Sequence, residues 1–434
     1  MLTNIINHIF EFLKFYIIPE RIFTFFQPAY HRTLGFMAAV LYRFPSRKIK
    51  VIAVTGTKGK STTVEIISAL LEEAGYKTAL SNTIRYKIGG GSHDNHFKMS
   101  MPGRFFVQRL IRHAVRAKCD FVVLEMTSQG AIQHRHKYIH LDTLVVTNIS
   151  PEHIEAHGSF ENYVAAKVSI ALEMKHSNKR PRTIIVNTDD ASSPQFLAVP
   201  SEVKSTYGIR DAGAYFVKAS SIDFMLGGKP VHSPLSGLFN LYNLLAGITA
   251  ARVHGVSDEV AIRAIEKFSG VRGRVERIDV GQDFAVVVDY AHTVDSLEKL
   301  YQVFESSRNI CVLGGAGGGR DKWRRKEMGR IAHSYCDEVI LTNEDPYDEN
   351  PREIVDDVAV GVTESSGGEM IPTIIMDRRE AIAHALKQAR TGDSVLITGK
   401  GTDPYIMGPK GTKTPWDDAR VAKEELQKLG KTSR

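Results

Sequence analysis

Residues 51–63 read VIAVTGTKGKSTT, a β-branched run that enters a glycine turn and then a helix-forming stretch. Backbone N–H groups in such a turn, with the first turn of the helix, cradle an anion. Lys60 is placed to reach the β and γ phosphates of a nucleotide, and the Ser61 hydroxyl suits Mg²⁺. The spacing Gly56-x-x-Gly59-Lys60-Ser61 is two residues shorter between glycines than the usual phosphate loop. Glu125 ends the apolar run Phe121–Leu124. A carboxylate there holds a magnesium ion or its water in phosphate-loop folds, or else caps the next helix. His153, after the run at Thr143–Thr147, can serve metal or phosphate, or be structural. Lys167 lies in a helical stretch with Tyr163, Val164 and Val168 nearby. It is either a counter-charge for phosphate or, if desolvated, an amine that combines with CO₂ to give a metal-binding carbamate. Spacing does not choose between these. His134 and His136 around Arg135 do not by themselves make a zinc site.

The elements that must position these groups alternate. Buried, parallel-type strands are expected at Val51–Val54, Phe121–Glu125, Thr143–Thr147, Thr183–Val186, Ala285–Val288, Ile310–Leu313, Glu338–Leu341 and Ser394–Ile397. Helices are expected at Thr62–Ala74 (closed by Gly75), Phe105–Ala117, Phe160–Met174 and Asn243–Val253. This alternation predicts an α/β fold of doubly wound sheets. The segment Ser269–Arg277 reads as a boundary, giving a helical segment over 1–48, a central domain over 49–272 and a second α/β domain over 273–434. The glycine tract Gly314–Gly319 has no glycine with partners at both +2 and +5, so a dinucleotide site there is not supported.

At 434 residues the length alone suggests about three domains. Hydrophobic residues at 43% and charged residues at 24% exclude a disordered, collagen-like or polytopic membrane chain. Cys119, Cys311 and Cys336 are widely spaced, so neither a disulfide framework nor a cysteine zinc site is expected, and a reducing cytoplasm fits. The net charge is +7, and residues 1–50 hold seven basic and two acidic residues. The remainder is nearly neutral, which argues against a nucleic-acid enzyme. In those fifty residues no charge-free run exceeds ten, too short to span a bilayer. They are expected to form amphipathic helices packed on the body, or a peripheral membrane contact.

Together these segments resemble the Mur ligases, the ATP-dependent amide-forming ligases of peptidoglycan precursor synthesis. TGTKGKST matches their short phosphate loop, and LEMTSQGAIQHR (Leu124–Arg135) and TNISPEHIEAHGSFENYVAAK (Thr147–Lys167) follow in order. GLFNLYN (Gly237–Asn243), Gly270–Glu276, DYAHTVDSLEK (Asp289–Lys299), GGGRDKWRR (Gly317–Arg325) and ITGKGTD (Ile397–Asp403) complete the match. Within the family the chain is most similar to the MurE group, which adds the third residue to UDP-N-acetylmuramoyl-L-Ala-D-Glu. The resemblance implies a central phosphate-loop ATPase domain followed by a Rossmann-like domain. It implies ATP on Gly56, Thr57, Lys58, Gly59, Lys60, Ser61 and Thr62, with Asn240, Arg274, Asp289 and His292 meeting the nucleotide. Mg²⁺ would be held by Ser61, Glu125, His153 and carbamylated Lys167. The muramoyl-peptide would lie on Ser100, Thr127, Ser128, Gln133 and Arg135. The amino acid would lie on Arg320, Asp345, Tyr347, Gly399 and Asp403. A monomer with small-molecule substrates is expected.

Several positions depart from the pattern. The DNPR motif that holds the distal carboxylate of meso-diaminopimelate is here Glu344-Asp345-Pro346-Tyr347, without the arginine. Asn350-Pro351-Arg352 sits five positions later and is a decoy. GKGHE is Gly399-Lys400-Gly401-Thr402-Asp403, and the TTP-like loop is Ser100-Met101-Pro102. Without a bidentate arginine a second carboxylate is disfavoured, which leaves lysine or ornithine. The family carries a full UDP-binding domain ahead of the phosphate loop, so residues 1–50 are expected to substitute for it. The competing expectations are a folylpolyglutamate-synthase-like or MurT-like ligase on another carboxylate, and a nucleotide-regulated binding protein without turnover. Intact Lys60, Glu125, His153 and Lys167 disfavour the latter.

Overall fold

A computed structural model of the chain describes residues 20–97, 99–152, 154–320 and 322–430. Its contacts divide into two compact units, one of residues 1–208 and 246–255, the other of 209–245 and 256–434. Residues 209–245 and 256–272, inside the central span expected from the sequence, thus cluster with the C-terminal residues.

The first unit opens with helix α1 (Glu20–Leu41), and the expectation for residues 1–19 lies outside the described residues. Strand β1 (Lys50–Thr55) leads into helix α2 (Lys60–Glu73), followed by β2 (Thr78–Ser81), β3 (Arg85–Ile88) and β4 (Gly91–Asp94). Helix α3 (Arg104–Arg116), β5 (Phe121–Glu125), the short α4 (Ser128–Ile132) and β6 (Thr143–Val146) come next. Helix α5 (Phe160–Glu173), β7 (Thr183–Asn187) and β8 (Val203–Tyr207) complete the sheet region. Among the described residues the sheet has the order β4-β3-β2-β5-β1-β6-β7-β8. From β2 through β8 in that order neighbouring strands are parallel, while β3 pairs antiparallel with both β2 and β4. After Lys50, β1 is buried throughout, as a central parallel strand covered on both faces must be. On one face Val51, Ala53, Val122 and Leu124 pack with Leu110 and Ile111 of α3 and Val164 and Ile170 of α5. The pairing Val54↔Glu125 sets the end of β5 beside the end of β1, and β6 flanks β1 on its other side. Ligands of open α/β sheets bind outside such carboxyl ends, where the chain winds away in both directions.

The second unit holds β9 (Tyr215–Val217), β10 (Ile222–Leu226) and β11 (Lys229–Ser233), an antiparallel trio that the sequence pattern does not announce. Its main sheet uses β12 (Glu276–Arg277), β13 (Ala285–Asp289), β14 (Asn309–Leu313), β15 (Glu338–Leu341), β16 (Thr373–Ile374) and β17 (Ser394–Thr398), in the order β12-β13-β17-β14-β15-β16. Helices α6 (Val294–Val303), α7 (Trp323–Tyr335) and α8 (Pro351–Ser365) cover one face, where Leu300, Ile331 and Val358 meet Val287, Leu313 and Leu341. Helices α9 (Arg378–Gln388) and α10 (Asp418–Lys428) cover the other, where Ile382 and Val421 meet Val286, Val312 and Ile397. Alternate strand residues point to opposite layers, as a doubly covered sheet requires. Helices α7 and α8 touch through their backbones. A Cβ on Gly329 would lie 2.1 Å from the Val358 carbonyl oxygen, and one on Gly361 would lie 2.0 Å from that of Lys326.

One expectation is overturned. Cys311 and Cys336 are joined in a disulfide, with Cα atoms 6.0 Å apart. Cys311 lies on β14 and Cys336 directly follows α7, so the returning crossover helix brings them together across 25 residues. Sequence spacing hides a pairing made by the fold. Cys119 is free and buried.

Candidate active site

The turn between β1 and α2 is held open for an anion by its own backbone. Gly56 has φ +146°, and a Cβ there would fall 1.9 Å from Thr147 Oγ1, so the loop seats directly on the end of β6. The Thr57 N–H donates to the Asn148 carbonyl (2.7 Å), the Lys58 N–H to Asn148 Oδ1 (2.9 Å), and Thr147 Oγ1 to the Lys58 carbonyl (2.7 Å). Gly59, in the left-handed region, starts α2 without a side-chain cap, so the first N–H groups of the helix face the turn. The Lys60 ammonium folds back to the Thr57 carbonyl (2.8 Å) and Lys58 pairs with Glu152 (2.6 Å). Thr62 is buried in the first turn of α2.

Glu125 is buried and richly partnered. Ser61 Oγ donates to it at 2.7 Å, and Thr83 donates through its N–H (3.1 Å) and its hydroxyl (3.1 Å). Burial pushes this carboxyl up, but the Lys60 charge and the hydrogen bonds from Ser61, Ser100 and Thr83 outweigh it and hold it below the usual carboxylate range. It is therefore ionised at neutral pH. Thr83 also meets Ser100 (2.6 Å), which ties the substrate-loop serine to the same carboxylate. Lys167, 1% exposed, donates to the Gly56 carbonyl at 2.6 Å and lies 4.7 Å from the Tyr163 ring centroid. Burial, then the Lys60 charge, pushes its ammonium well below the ordinary lysine value. Tyr163 in turn meets Thr57 Oγ1 at 2.9 Å. Thr127 caps α4 by accepting from the Gly130 N–H, with Ser128 buried behind it. Arg135 donates to the Met101 carbonyl and to Gln133 Oε1.

The first unit thus gathers the loop residues with Glu125, Lys167 and Ser100, while Thr127, Ser128, Gln133 and Arg135 continue along α4 and its following turn. His153 lies outside the described residues. Thr83, Asn148 and Tyr163 were not singled out in the sequence. No spacing marks them, because they act by bridging.

The second unit gathers two groups. Arg274 lies over the Tyr290 ring (4.5 Å) and His292 donates from Nδ1 to the Tyr290 carbonyl (2.7 Å). Asp289 accepts from the N–H groups of Val275 (2.7 Å) and Ala291 (2.6 Å). Asn240 is buried and bonds the Ser236 carbonyl and Asn243. The other group centres on Lys400, fully buried, which donates to Asp345 (2.7 Å), Asp403 (3.0 Å) and the Tyr405 carbonyl (2.7 Å). Arg320 lies over the Tyr347 ring at 5.8 Å. Glu344 is buried, and a Cβ on Gly399 would fall 2.2 Å from its Oε2. Burial raises its carboxyl to about 7, against the lowering pull of Arg378 and Lys400. Lys400 and Glu344 lie inside motifs legible in the sequence, but their place at the centre was not. The glycine tract before Arg320 packs the loop after β14 onto the loop after β15, since a Cβ on Gly317 would meet the Pro346 carbonyl at 2.3 Å. Asn350-Pro351-Arg352 is a helix start: Asn350 Oδ1 caps α8 by accepting from the Arg352 N–H.

A short phosphate loop, an ionised carboxylate on the neighbouring strand and a desolvated lysine beneath the loop define a nucleotide-dependent phosphoryl-transfer enzyme. Comparison with known proteins narrows this. The Mur ligase middle domain matches residues 54–251, and the Mur ligase, glutamate ligase domain matches residues 273–401. The UDP-N-acetylmuramoyl-L-alanyl-D-glutamate--2,6-diaminopimelate ligase of Syntrophomonas wolfei subsp. wolfei is 35% identical over 414 residues, covering 92% of this chain and 83% of the relative. The UDP-N-acetylmuramyl-tripeptide synthetase of Roseiflexus sp. (strain RS-1) is 36% identical over 417 residues, covering 91% and 82%. A solved UDP-N-acetylmuramoyl-L-alanyl-D-glutamate--2,6-diaminopimelate ligase shares 28% identity with a TM-score of 0.60, over 88% of this chain and 79% of that one. The chain belongs to the Mur ligase family, in its MurE-like branch, and is an ATP-dependent ligase. Mur ligases in general depend on ATP and magnesium. Among the described residues no helix is long and apolar enough to cross a membrane.

Proposed function

We propose that this ligase joins the amine of a diamino acid to the free carboxylate of UDP-N-acetylmuramoyl-L-Ala-D-Glu through an acyl phosphate. The observation that carries the reading is the convergence of Gly56–Ser61, the buried carboxylate of Glu125 and the desolvated amine of Lys167 on one loop, joined through Thr83 to Ser100. The loop N–H groups and Lys60 orient the triphosphate so that the substrate carboxylate attacks the γ-phosphorus and ADP leaves. The amine then attacks the acyl phosphate, and collapse of the tetrahedral intermediate releases phosphate and a proton. Ser61 and Glu125 are hard oxygen donors of the kind magnesium takes, and they, with His153, would hold it. Bound there, the ion neutralises charge on the transferring phosphoryl group. The desolvated Lys167 amine has the chemistry to take up CO₂ as a carbamate, which turns a cation beneath the loop into an anionic ligand.

The amino acid is held by Arg320, Asp345, Tyr347, Gly399 and Asp403, and the nucleotide is met by Asn240, Arg274, Asp289 and His292. Because Tyr347 stands where a second carboxylate would need a guanidinium, lysine or ornithine is favoured over diaminopimelate. The membrane contact of residues 1–48 has support in the exposed Phe36, Met37 and Leu41 of α1, close in sequence to Arg43, Arg47 and Lys48. The test is phosphate release by the purified protein with ATP, Mg²⁺, the muramoyl-dipeptide and a panel of diamino acids. Amino-acid-dependent release with lysine or ornithine is the expected result. No release with any member of the panel would sink the reading.

A further inference from the structure

Helix α1 is apolar on both of its sides. Gly35, Ala38 and Ala39 are buried, and a Cβ on Gly35 would lie 3.5 Å from the Tyr138 ring, so this side seats the helix on the first unit. The opposite side exposes Phe36, Met37, Val40 and Leu41, each about half exposed or more. Their i, i+1, i+4, i+5 spacing makes one stripe along the helix. A contiguous apolar stripe facing water marks a surface that meets a partner. Basic residues follow it in the chain. Between Glu20 and Glu65 the sequence has no acid, while Arg32, Arg43, Arg47, Lys48 and Lys50 fall in that stretch. Arg43 (φ +59°) and Phe44 (φ +46°) turn the chain sharply after α1, and Arg47 returns over the Phe44 ring at 4.4 Å.

The stripe leads to a cavity of about 220 Å³. The exposed Phe36 ring meets the rings of Phe44 (6.2 Å) and Tyr138 (5.5 Å), and both of these line the cavity together with Arg32, Arg47, Lys137 and Glu173. Glu173, the one acid of the lining, is paired with Lys137. Among the described residues Arg32 and Arg47 have no carboxylate partner. Arg32 Nε donates to the Tyr138 hydroxyl (3.4 Å) and Arg47 Nε to His140 Nε2 (3.1 Å). That leaves the outer nitrogens of both guanidinium forks for an anion with several acceptor oxygens, which a phosphate diester supplies. An apolar stripe that ends at a guanidinium-lined cavity matches the two-part chemistry of a phospholipid, acyl chain beside anionic headgroup. A second copy of the chain fits poorly, because pairing the stripes would bring the same acid-free basic stretch in from both sides. We propose that α1 lies in the interface of an anionic phospholipid bilayer, with Phe36, Met37, Val40 and Leu41 among the acyl chains and one lipid phosphate held by Arg32 and Arg47 in the cavity. This rests on the membrane contact proposed above for residues 1–48 and names its ligand.

The full chain is sedimented with vesicles of phosphatidylcholine alone, or with about one third phosphatidylglycerol, and the bound fraction is measured. The expected result is that the anionic vesicles bind about tenfold or more tighter than the neutral ones. Met37→Glu combined with Leu41→Glu should abolish binding. Arg43→Gln and Lys48→Gln, outside the cavity, should each weaken it about fivefold at most, the effect of one charge near an anionic surface. Arg32→Gln and Arg47→Gln should each weaken it about twentyfold or more, because a phosphate loses hydrogen bonds as well as a charge. In the wild type, monomeric dihexanoyl phosphatidylglycerol should release the chain from anionic vesicles, and dihexanoyl phosphatidylcholine, with its added cation, should not. That competition keeps the test open if an arginine variant fails to fold. Equal weakening by all four basic substitutions, or no competition by the short anionic lipid, overturns the headgroup site. No binding to either vesicle, with residues 1–19 or a protein covering the stripe instead, overturns the membrane contact itself. Amino-acid-dependent phosphate release is measured without vesicles and should be unchanged in these variants, so failure of the ligase reading shows separately.

Discussion

Replacing Glu344 by glutamine should remove a pH dependence that the wild type carries in its second unit. Burial raises the Glu344 carboxyl from 4.5 to about 7, even with Arg378 and Lys400 pulling it down, and Asp345 adds to the rise. Below pH 4.5 folded and unfolded chains both hold this proton, so the full stability is present. Between 4.5 and 7 the unfolded chain releases it while the folded chain keeps it, and stability falls as pH rises, levelling off above 7. Holding the proton to about pH 7 corresponds to a loss of about 3 kcal/mol across that window. The sequence has two tryptophans, Trp323 and Trp416, both in the second unit, so intrinsic tryptophan fluorescence follows that unit's unfolding. Trp416 bonds Asp418, the partner of buried Arg378, and so reports close to the site. Denaturant titrations at pH 5, 6, 7 and 8 should show the wild type losing stability with pH and Glu344→Gln nearly flat over the same range. Equal slopes for the two proteins would refute the assignment of a neutral buried carboxyl at Glu344.

Gly56→Ala should lower stability by about 2–4 kcal/mol and raise KM for ATP, because its Cβ would overlap Thr147 Oγ1 at a backbone angle that alanine resists; melting and ATP-dependence curves check this, and wild-type values for both would contradict the loop seating. Lys167→Ala should reduce turnover by about a thousandfold or more and be partly restored by added short carboxylates, whereas failure of rescue with an intact fold counts against a carbamate. Glu125→Gln should lower kcat and raise the magnesium concentration needed for half activity, and an unchanged magnesium profile would remove Glu125 from the ion's ligands. Tyr347→Arg should shift the kcat/KM preference about tenfold or more toward diaminopimelate relative to lysine; competition between the two amino acids in one reaction reads the shift directly.

The strands that carry the site were legible because each is a short β-branched run buried on both faces, and all eight expected runs are strands in the structure. The phosphate loop was legible for a related reason: a glycine turn between strand and helix admits few readings, whereas spacing left Glu125 and Lys167 open and their partners Ser61 and the Gly56 carbonyl emerge only in the fold. The antiparallel strands β3, β4, β9 and β11 were not, since exposed polar positions such as Ser92, His93 and Lys229 leave no apolar run to detect. Thr83, Tyr163 and Lys400 gain their roles only when distant segments meet, and the same holds for Cys311 with Cys336.

The backbone contact of α7 with α8 at Gly329 and Gly361 bears on how this ligase can change its diet over evolutionary time. Helix α7 begins just after the loop carrying Arg320, and α8 just after the loop carrying Tyr347. Main chain seated on main chain leaves no side chains at the crossing to repack, so the gap between those two loops is inherited rather than negotiated. Substitutions at the loop tips can then be tried one at a time against a fixed frame. A new amino-acid preference could arise from a single codon at position 347, with the scaffold indifferent to the experiment.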